Sequence, residues 1–409
     1  MKTWLKLAVA LTVSTGLVTG CSKDDDEDED VWESMIPETD KEPTTAGVQG
    51  FVFRPALAPP SAENVQQLRV PAGFAVNKFA EGLGKPRILA VSSAGHVYYS
   101  DREAGTVTLL QDTNADGVSD RKQVVANIRQ AHGLTIHNGN LYIVAVRELY
   151  VAGINMDGTL QTPRQLLNNL PDGGQHPNRT IAFGPDGKLY ITVGSTCNSC
   201  PEPNKENATI LIADADGTNR RIFAKGLRNT IGFGWHPTTN ELWGMDHGID
   251  WLGDDEQKEE LNKITAGANY GWPYIYGEGK YNPSDRPKGD TTYAQYLKLT
   301  TLPTLTYQAH AAPMAMAFYT ATQFPQEYRN DAFVAMRGSW NRSTPSGYKV
   351  VRVHFENGQP TRFDDFLTGF LVNNNRSQFA RLVGVAVNRD GALLVSDDTN
   401  GVIYRVAYR

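Results

Sequence analysis

Ile181-Ala-Phe-Gly-Pro-Asp-Gly-Lys-Leu-Tyr-Ile-Thr-Val-Gly194 joins two short apolar runs through an Asp-Gly turn, the pattern of a β-hairpin. Equivalent stretches start at Ile88, Leu134 and Ile231, so four copies begin 46, 47 and 50 residues apart. A fifth runs from Ala317-Phe318 through Asp331-Ala-Phe-Val-Ala-Met336, and the last is Val385-Ala-Val-Asn-Arg-Asp-Gly-Ala-Leu-Leu-Val-Ser-Asp-Asp398. Strand repeats of about 40–50 residues are propeller blades. Each copy alternates apolar and polar residues, so its sheet has to bury its faces against neighbouring sheets. Six copies predict an all-β chain folded as a six-bladed β-propeller, whereas a sandwich gives no reason for six equivalent hairpins. The wider later spacings predict insertions after blade four, from Asp246 to about Thr301, and within blade five. Such loops gather at one end of a propeller channel, where ligands bind.

The repeats occupy residues 67–409, and what precedes them reads as targeting sequence. Lys2 and Lys6 precede an apolar stretch, Leu7 to Val18, that closes in Val18-Thr19-Gly20-Cys21. This is too short for a membrane span and has the form of a lipoprotein signal peptide, residues 1–21, with Cys21 as the lipidated residue. Residues 22–66 read as a solvated tether, rich in Pro, Glu and Thr and opening on the unbroken acidic run Asp24 to Asp30. That run accounts for the formal charge of −6, leaving a near-neutral folded part and no electrostatic case for nucleic-acid binding. Ser22-Lys23-Asp24-Asp25-Asp26 resembles the export signal of Bacteroidetes surface lipoproteins, which implies an exported protein held at the outer membrane through a lipid anchor. Of three cysteines, Cys197 and Cys200 remain as a pair that an oxidising compartment would close into a disulfide. Half a zinc site and a redox motif are the alternatives for that spacing.

Polar residues recur just ahead of the hairpins. Asp172-Gly-Gly-Gln-His176-Pro-Asn-Arg179 delivers a histidine, the natural proton acceptor near neutral pH, to the third copy. Arg228-Asn229 enters the fourth, an arginine fit to clamp a carboxylate beside an amide donor. The fourth hairpin ends in Asp246-His247-Gly248-Ile249-Asp250, where carbonyls and carboxylates could hold a hard cation. Arg337, Arg342, Arg376 and Arg381 stand at the mouths of the last two copies and point to an anionic ligand. Separately, Asp112-Thr-Asn114-Ala-Asp116-Gly-Val-Ser-Asp120 opens like an EF-hand calcium loop but has Gln123 where the bidentate glutamate belongs. It reads as a short calcium loop or as an Asx-rich hairpin.

From about Leu68 onward the chain resembles the glucose/sorbosone dehydrogenases. The resemblance rests on the run from His176 to Tyr190, on Arg228-Asn229, on Asp254-Asp255-Glu256, on Gly267-Ala-Asn-Tyr-Gly-Trp-Pro273 and on the closing Val-Ser-Asp-Asp398. Gly194 to Cys200 and Gly338 to Arg342 look most like the sorbosone dehydrogenase branch. The resemblance implies oxidation of a sugar or related alcohol or aldehyde with pyrroloquinoline quinone (PQQ) and calcium. His176 would be the general base that takes the hydroxyl proton while hydride passes to the quinone. Arg228 would stabilise the reduced ring, with Asn229, His247, Arg342 and Arg381 as further cofactor contacts and the carbonyls of Gly248 and Ile249 as calcium ligands. The chain departs from the glucose dehydrogenases at Asn341, where they carry lysine, at Ile249, where proline is usual, and at Arg381-Leu-Val-Gly384, which lacks their second arginine. No Cys-x-x-Cys-His haem motif is present, so electrons would leave to an external acceptor. A calcium-dependent lactonase and a non-catalytic propeller binding glycans or partners are the competing readings.

Overall fold

The computed structural model describes residues 48–409, which lie within one compact unit spanning residues 42–409. The proposed signal peptide, the lipidation site Cys21 and the acidic run lie outside the described residues. Six four-stranded antiparallel sheets carry the fold. Their first strands are Pro86–Val91, Gly133–His137, Ile181–Phe183, Phe233–Trp235, Pro313–Phe318 and Leu382–Val387. Every hairpin expected from sequence forms the first two strands of one of these sheets. The sixth sheet joins the two ends of the fold, because Phe74–Ala80 pairs with Val402–Tyr408.

The expected alternation fails in the second strands. Val97–Asp101, Leu189–Val193, Leu242–Asp246, Ala332–Met336 and Leu393–Asp397 are buried at every position, which means both of their faces are covered. Their polar residues therefore need partners within the protein. Ser100 Oγ donates to His132 O of the next sheet at 2.6 Å and accepts from Ile88 N. Ser396 Oγ bridges in the same way between Gly384 N and Arg87 O, tying the sixth sheet to the first. A Cβ on Gly384 would lie 2.3 Å from Arg87 O, so only glycine lets these two sheets approach. The residues that looked like a polar face are bonds between sheets.

Two boundaries differ from expectation. The long insertion lies inside the fourth sheet, whose third and fourth strands are Glu259–Lys263 and Leu305–Tyr307. Between them come a small hairpin, Ile275–Tyr276 with Lys280–Tyr281, and the helix Tyr293–Leu297. The end of the presumed tether is part of the fold: Ala56–Leu57 pairs in parallel with Ser377–Gln378, and Ala62–Gln66 is helical with Ser61 as its cap. Pro-rich composition hides such a strand, since pairing to a distant edge leaves no local periodicity. Among the described residues, no helix is long and apolar enough to cross a membrane.

Candidate active site

The loops that follow second strands and precede first strands meet around a cavity of about 140 Å³ lined by His176, Arg228, His247, Gly248, Asp250, Glu259, His310, Ala312, Trp340 and Asn341. His176 Nδ1 lies 3.0 Å from Ser195 O and 2.8 Å from Ser195 Oγ. A carbonyl cannot donate, and the Ser195 hydroxyl gives its own proton to Cys197 O at 2.8 Å. Nδ1 must therefore carry the hydrogen, which leaves Nε2 as the proton acceptor. Burial, then the charges of Arg228 and His247, push the imidazole pKa down to about 2, so it is neutral at physiological pH. His247 Nε2 donates to Pro313 O, and burial lowers its pKa to about 4.

Arg228 is fixed by three acceptors: its Nε and one terminal nitrogen donate to Asn198 O and Oδ1 at 2.8 Å, and the same terminal nitrogen lies 3.6 Å from Asp250 Oδ2. The Arg228 and Asn229 N–H groups and the Thr230 hydroxyl all donate to the buried Asp246 carboxylate. This explains how the fourth hairpin aims the pair into the cavity. Among the described residues Asn229 Oδ1 is buried without a partner, and a Cβ on Gly194 would meet it at 2.8 Å. The N–H groups of Gly248 and Ile249 are held by Glu259 Oε2 and Gln257 Oε1, both at 3.0 Å. Among the described residues nothing donates to the two carbonyls. Disulfide Cys197–Cys200 closes the loop beside Arg228, which removes the zinc alternative because both sulfurs are consumed.

A second cavity of about 380 Å³ is lined by Lys85, Arg87, Arg102, Glu103, Asn178, Arg337, Arg381, Asp398 and Thr399. Asp398 takes Arg87 on one oxygen at 2.5 Å and Arg337 on the other at 2.7 Å. Burial would raise this carboxyl, but Arg337 and Arg87 outweigh it and hold it below its ordinary value. Among the described residues Nε of Arg87, Arg102 and Arg381 are buried without a partner. Burial pushes Arg87 and Arg381 down to about 10, still fully charged at neutral pH.

Two further sets of expected residues lie outside both cavities. Arg342 lines neither cavity: its guanidinium is occupied by the carbonyls of Thr344, Asp254 and Ala309, so it pins loops together and is corrected from cofactor contact to brace. The Asp112 to Asp120 loop is held by Asx-type bonds between its side chains and its own backbone. Asp112 accepts from Asp116 N and Gly117 N, Asn114 from Asp116 N, Asp116 from Val118 N, and Asp120 from Thr113 N and Oγ1. Among the described residues the carboxylates of Asp112, Asp116 and Asp120 do not form a cluster within 4.8 Å of one another. Sequence reasoning missed Arg87, Glu259, His310, Trp340 and Asp398 as site residues. Arg87 was within reach, since it precedes Ile88 as Arg228-Asn229 precedes the fourth hairpin.

Buried carboxylates behind the site make its stability sensitive to pH. Burial, then Asp246, raises Glu260 to about 7. A carboxyl raised in the fold binds more protons folded than unfolded, so stability falls as pH rises from the unfolded value of about 4.3. Glu260→Gln removes that term. Its urea midpoint should gain on the wild type as pH rises from about 5 to 7 and keep a constant lead above about 8; a constant difference at all pH values would contradict the burial argument.

The fold and site together define an all-β protein with repeated four-stranded sheets, one cavity lined by a neutral, proton-accepting histidine and another rich in cations. The chain belongs to the TrAA12-like family, whose model matches residues 68–409. An uncharacterized protein of Borreliella burgdorferi is 30% identical over 362 residues, covering 85% of this chain and 92% of that one. A pyrroloquinoline quinone-dependent sugar dehydrogenase of Hypocrea jecorina is 24% identical over 418 residues, covering 87% and 94%. The calcium structure of the Trichoderma reesei family AA12 enzyme superposes with a TM-score of 0.74 at 23% identity, over 84% of this chain and 97% of that one.

Proposed function

We propose that this protein is a quinoprotein sugar dehydrogenase, its six sheets closing as the blades of a β-propeller around the two cavities. The observation that carries the reading is His176, which has its proton fixed on Nδ1 and a free Nε2 in a cavity that it shares with the Arg228 guanidinium. The residues present fit the implied cofactor. Unpartnered Nε groups on Arg87, Arg102 and Arg381 suit its carboxylates, the orphaned Asn229 Oδ1 marks an unfilled polar contact, and two free carbonyls suit a hard cation. When bound, the quinone supplies a hydride acceptor and calcium polarises it.

The chain's own part is the proton. Nε2 of His176 takes it from the sugar hydroxyl as hydride leaves the same carbon, and a carbonyl product remains. The Ser195 carbonyl, on Nδ1–H, stabilises the imidazolium that forms, and Arg228 places a fixed positive charge beside the reacting group. Gly248 and Ile249 would present the calcium-binding carbonyls, and electrons would pass on to an external acceptor. A lactonase would need side-chain metal ligation. Among the described residues the one such grouping, Cys197, Cys200 and Glu202, has its sulfurs in a disulfide.

The test is reconstitution of a chain lacking residues 1–21 with PQQ and calcium, following the quinone spectrum on adding aldoses, sorbosone and polyols. Reduction by a sugar supports the reading, and failure to bind the quinone would overturn it in favour of a hydrolase or a glycan-binding protein. We propose further that the protein is exported and tethered to the outer membrane through lipid on Cys21. In the native host Cys21→Ser should move it from the membrane to the soluble fraction, and retention in the membrane would refute the anchor.

A further inference from the structure

Residues 48–67 precede the family match, yet they are bonded to the rim of the candidate active site. Gln49 N donates to Trp251 O at 2.7 Å, and Gln49 O accepts from Gly253 N at 2.9 Å. Phe53 N donates to Trp340 O at 3.1 Å, and Ala56 and Ala58 donate to Arg376 O and Gln378 O, both at 2.8 Å. The segment thus crosses three loops that belong to different sheets. Trp340 lines the cavity that holds His176, and Trp251 follows Asp250, which lines it too.

The side chains of this strap bear on the same two indoles. The Trp251 and Trp340 rings meet edge to face at 5.0 Å and 83°. The Arg54 guanidinium stands 5.2 Å over the Trp340 ring, and Gly50 lies so close to Trp251 that a Cβ there would be 2.6 Å from Cε3. Trp340 is therefore held by a backbone bond, a cation over its face and a second indole, and two of those three depend on residues 49–58. An indole held rigid in a polar cavity offers the large amphipathic surface on which the C–H face of a sugar packs at small entropic loss.

We propose that residues 49–58 are a substrate-selecting strap: by fixing Trp340 in the wall of the cavity, with Trp251 packed behind it, they favour a single pyranose over longer saccharides. This rests on the sugar-oxidising reading for the identity of the occupant. Arg54 acts as a positioning residue through Trp340, and Trp340 is the contact.

The experiment uses the chain from Ser22 onward with three variants, Arg54→Ala, Gly50→Leu and Trp340→Ala. Arg54 is exposed, so Arg54→Ala keeps the test meaningful should Gly50→Leu fail to fold. Steady-state kinetics are run with a monosaccharide and its trisaccharide, and sugar binding is read separately by tryptophan fluorescence. Arg54→Ala and Gly50→Leu should raise KM for the monosaccharide about three- to tenfold, leave kcat and quinone binding within twofold, and shift preference toward the trisaccharide. Unchanged KM and preference would overturn the proposal, and so would equal losses for both sugars accompanied by a lower melting temperature, which is the behaviour of a mere brace. A wild-type chain that binds sugar by fluorescence but reduces no quinone would sink the dehydrogenase reading while still testing the strap.

Discussion

Replacing His176 with alanine should lower kcat for sugar oxidation by about 10²- to 10⁴-fold, the usual contribution of a positioned general base, while quinone binding stays near wild type. Nε2 is the one acceptor that the hydrogen bonds around His176 leave free, because Ser195 O and the Ser195–Cys197 link hold the proton on Nδ1. A neighbouring group is poorly placed to take over: with Nε2–H on Pro313 O, His247 turns its acceptor Nδ1 to the Asn229 amide at 3.5 Å, and His310, with Nε2–H on Gly253 O, accepts at Nδ1 from the Asn341 amide at 3.2 Å. His176→Gln should do little better, since its amide is no base at neutral pH. The check is single-turnover reduction of the bound quinone by excess sugar, which separates the chemical step from binding. Loss of quinone binding with an unchanged single-turnover rate would reassign His176 to the cofactor.

That prediction draws on a part of the site that was legible in the sequence. His176, Arg228, Asn229 and Gly248-Ile249 each stand just before or after a hairpin of the repeat. The period that gives the fold also gives their position. What stayed hidden are groups whose roles come from partners far along the chain. Asp398 bonds Arg87 across 311 positions, and Asn341 bonds Asp250 across 91, spacings without a local pattern. Arg342 misled for the same reason: beside Asn341 in sequence it looks like a replacement for a missing lysine, but its fork reaches carbonyls beneath the rim. The fourth strand of the fourth sheet was lost because a hairpin and a helix separate it from the third.

The missing second arginine ahead of the last sheet leads to the other large effect. Three cofactor carboxylates set beside Arg381 alone would be undercompensated, whereas the second cavity gathers Lys85, Arg87, Arg102, Arg337 and Arg381 against Glu103 and Asp398. Asp398 does not cancel this charge so much as position it, since each of its oxygens orients one arginine. Arg337→Gln and Arg381→Gln should each weaken quinone binding by about 30-fold or more, the range for removing one partner of a buried charge pair. The loss should be read as a dissociation constant by fluorescence titration. The wild-type constant should also rise with salt. Asp398→Asn should weaken binding less than either arginine variant if positioning is its role, because both positive charges remain. An affinity indifferent to Arg337, Arg381 and salt would mean that the quinone is not held by this cavity, and the arginines would then serve to bind the sheets to one another.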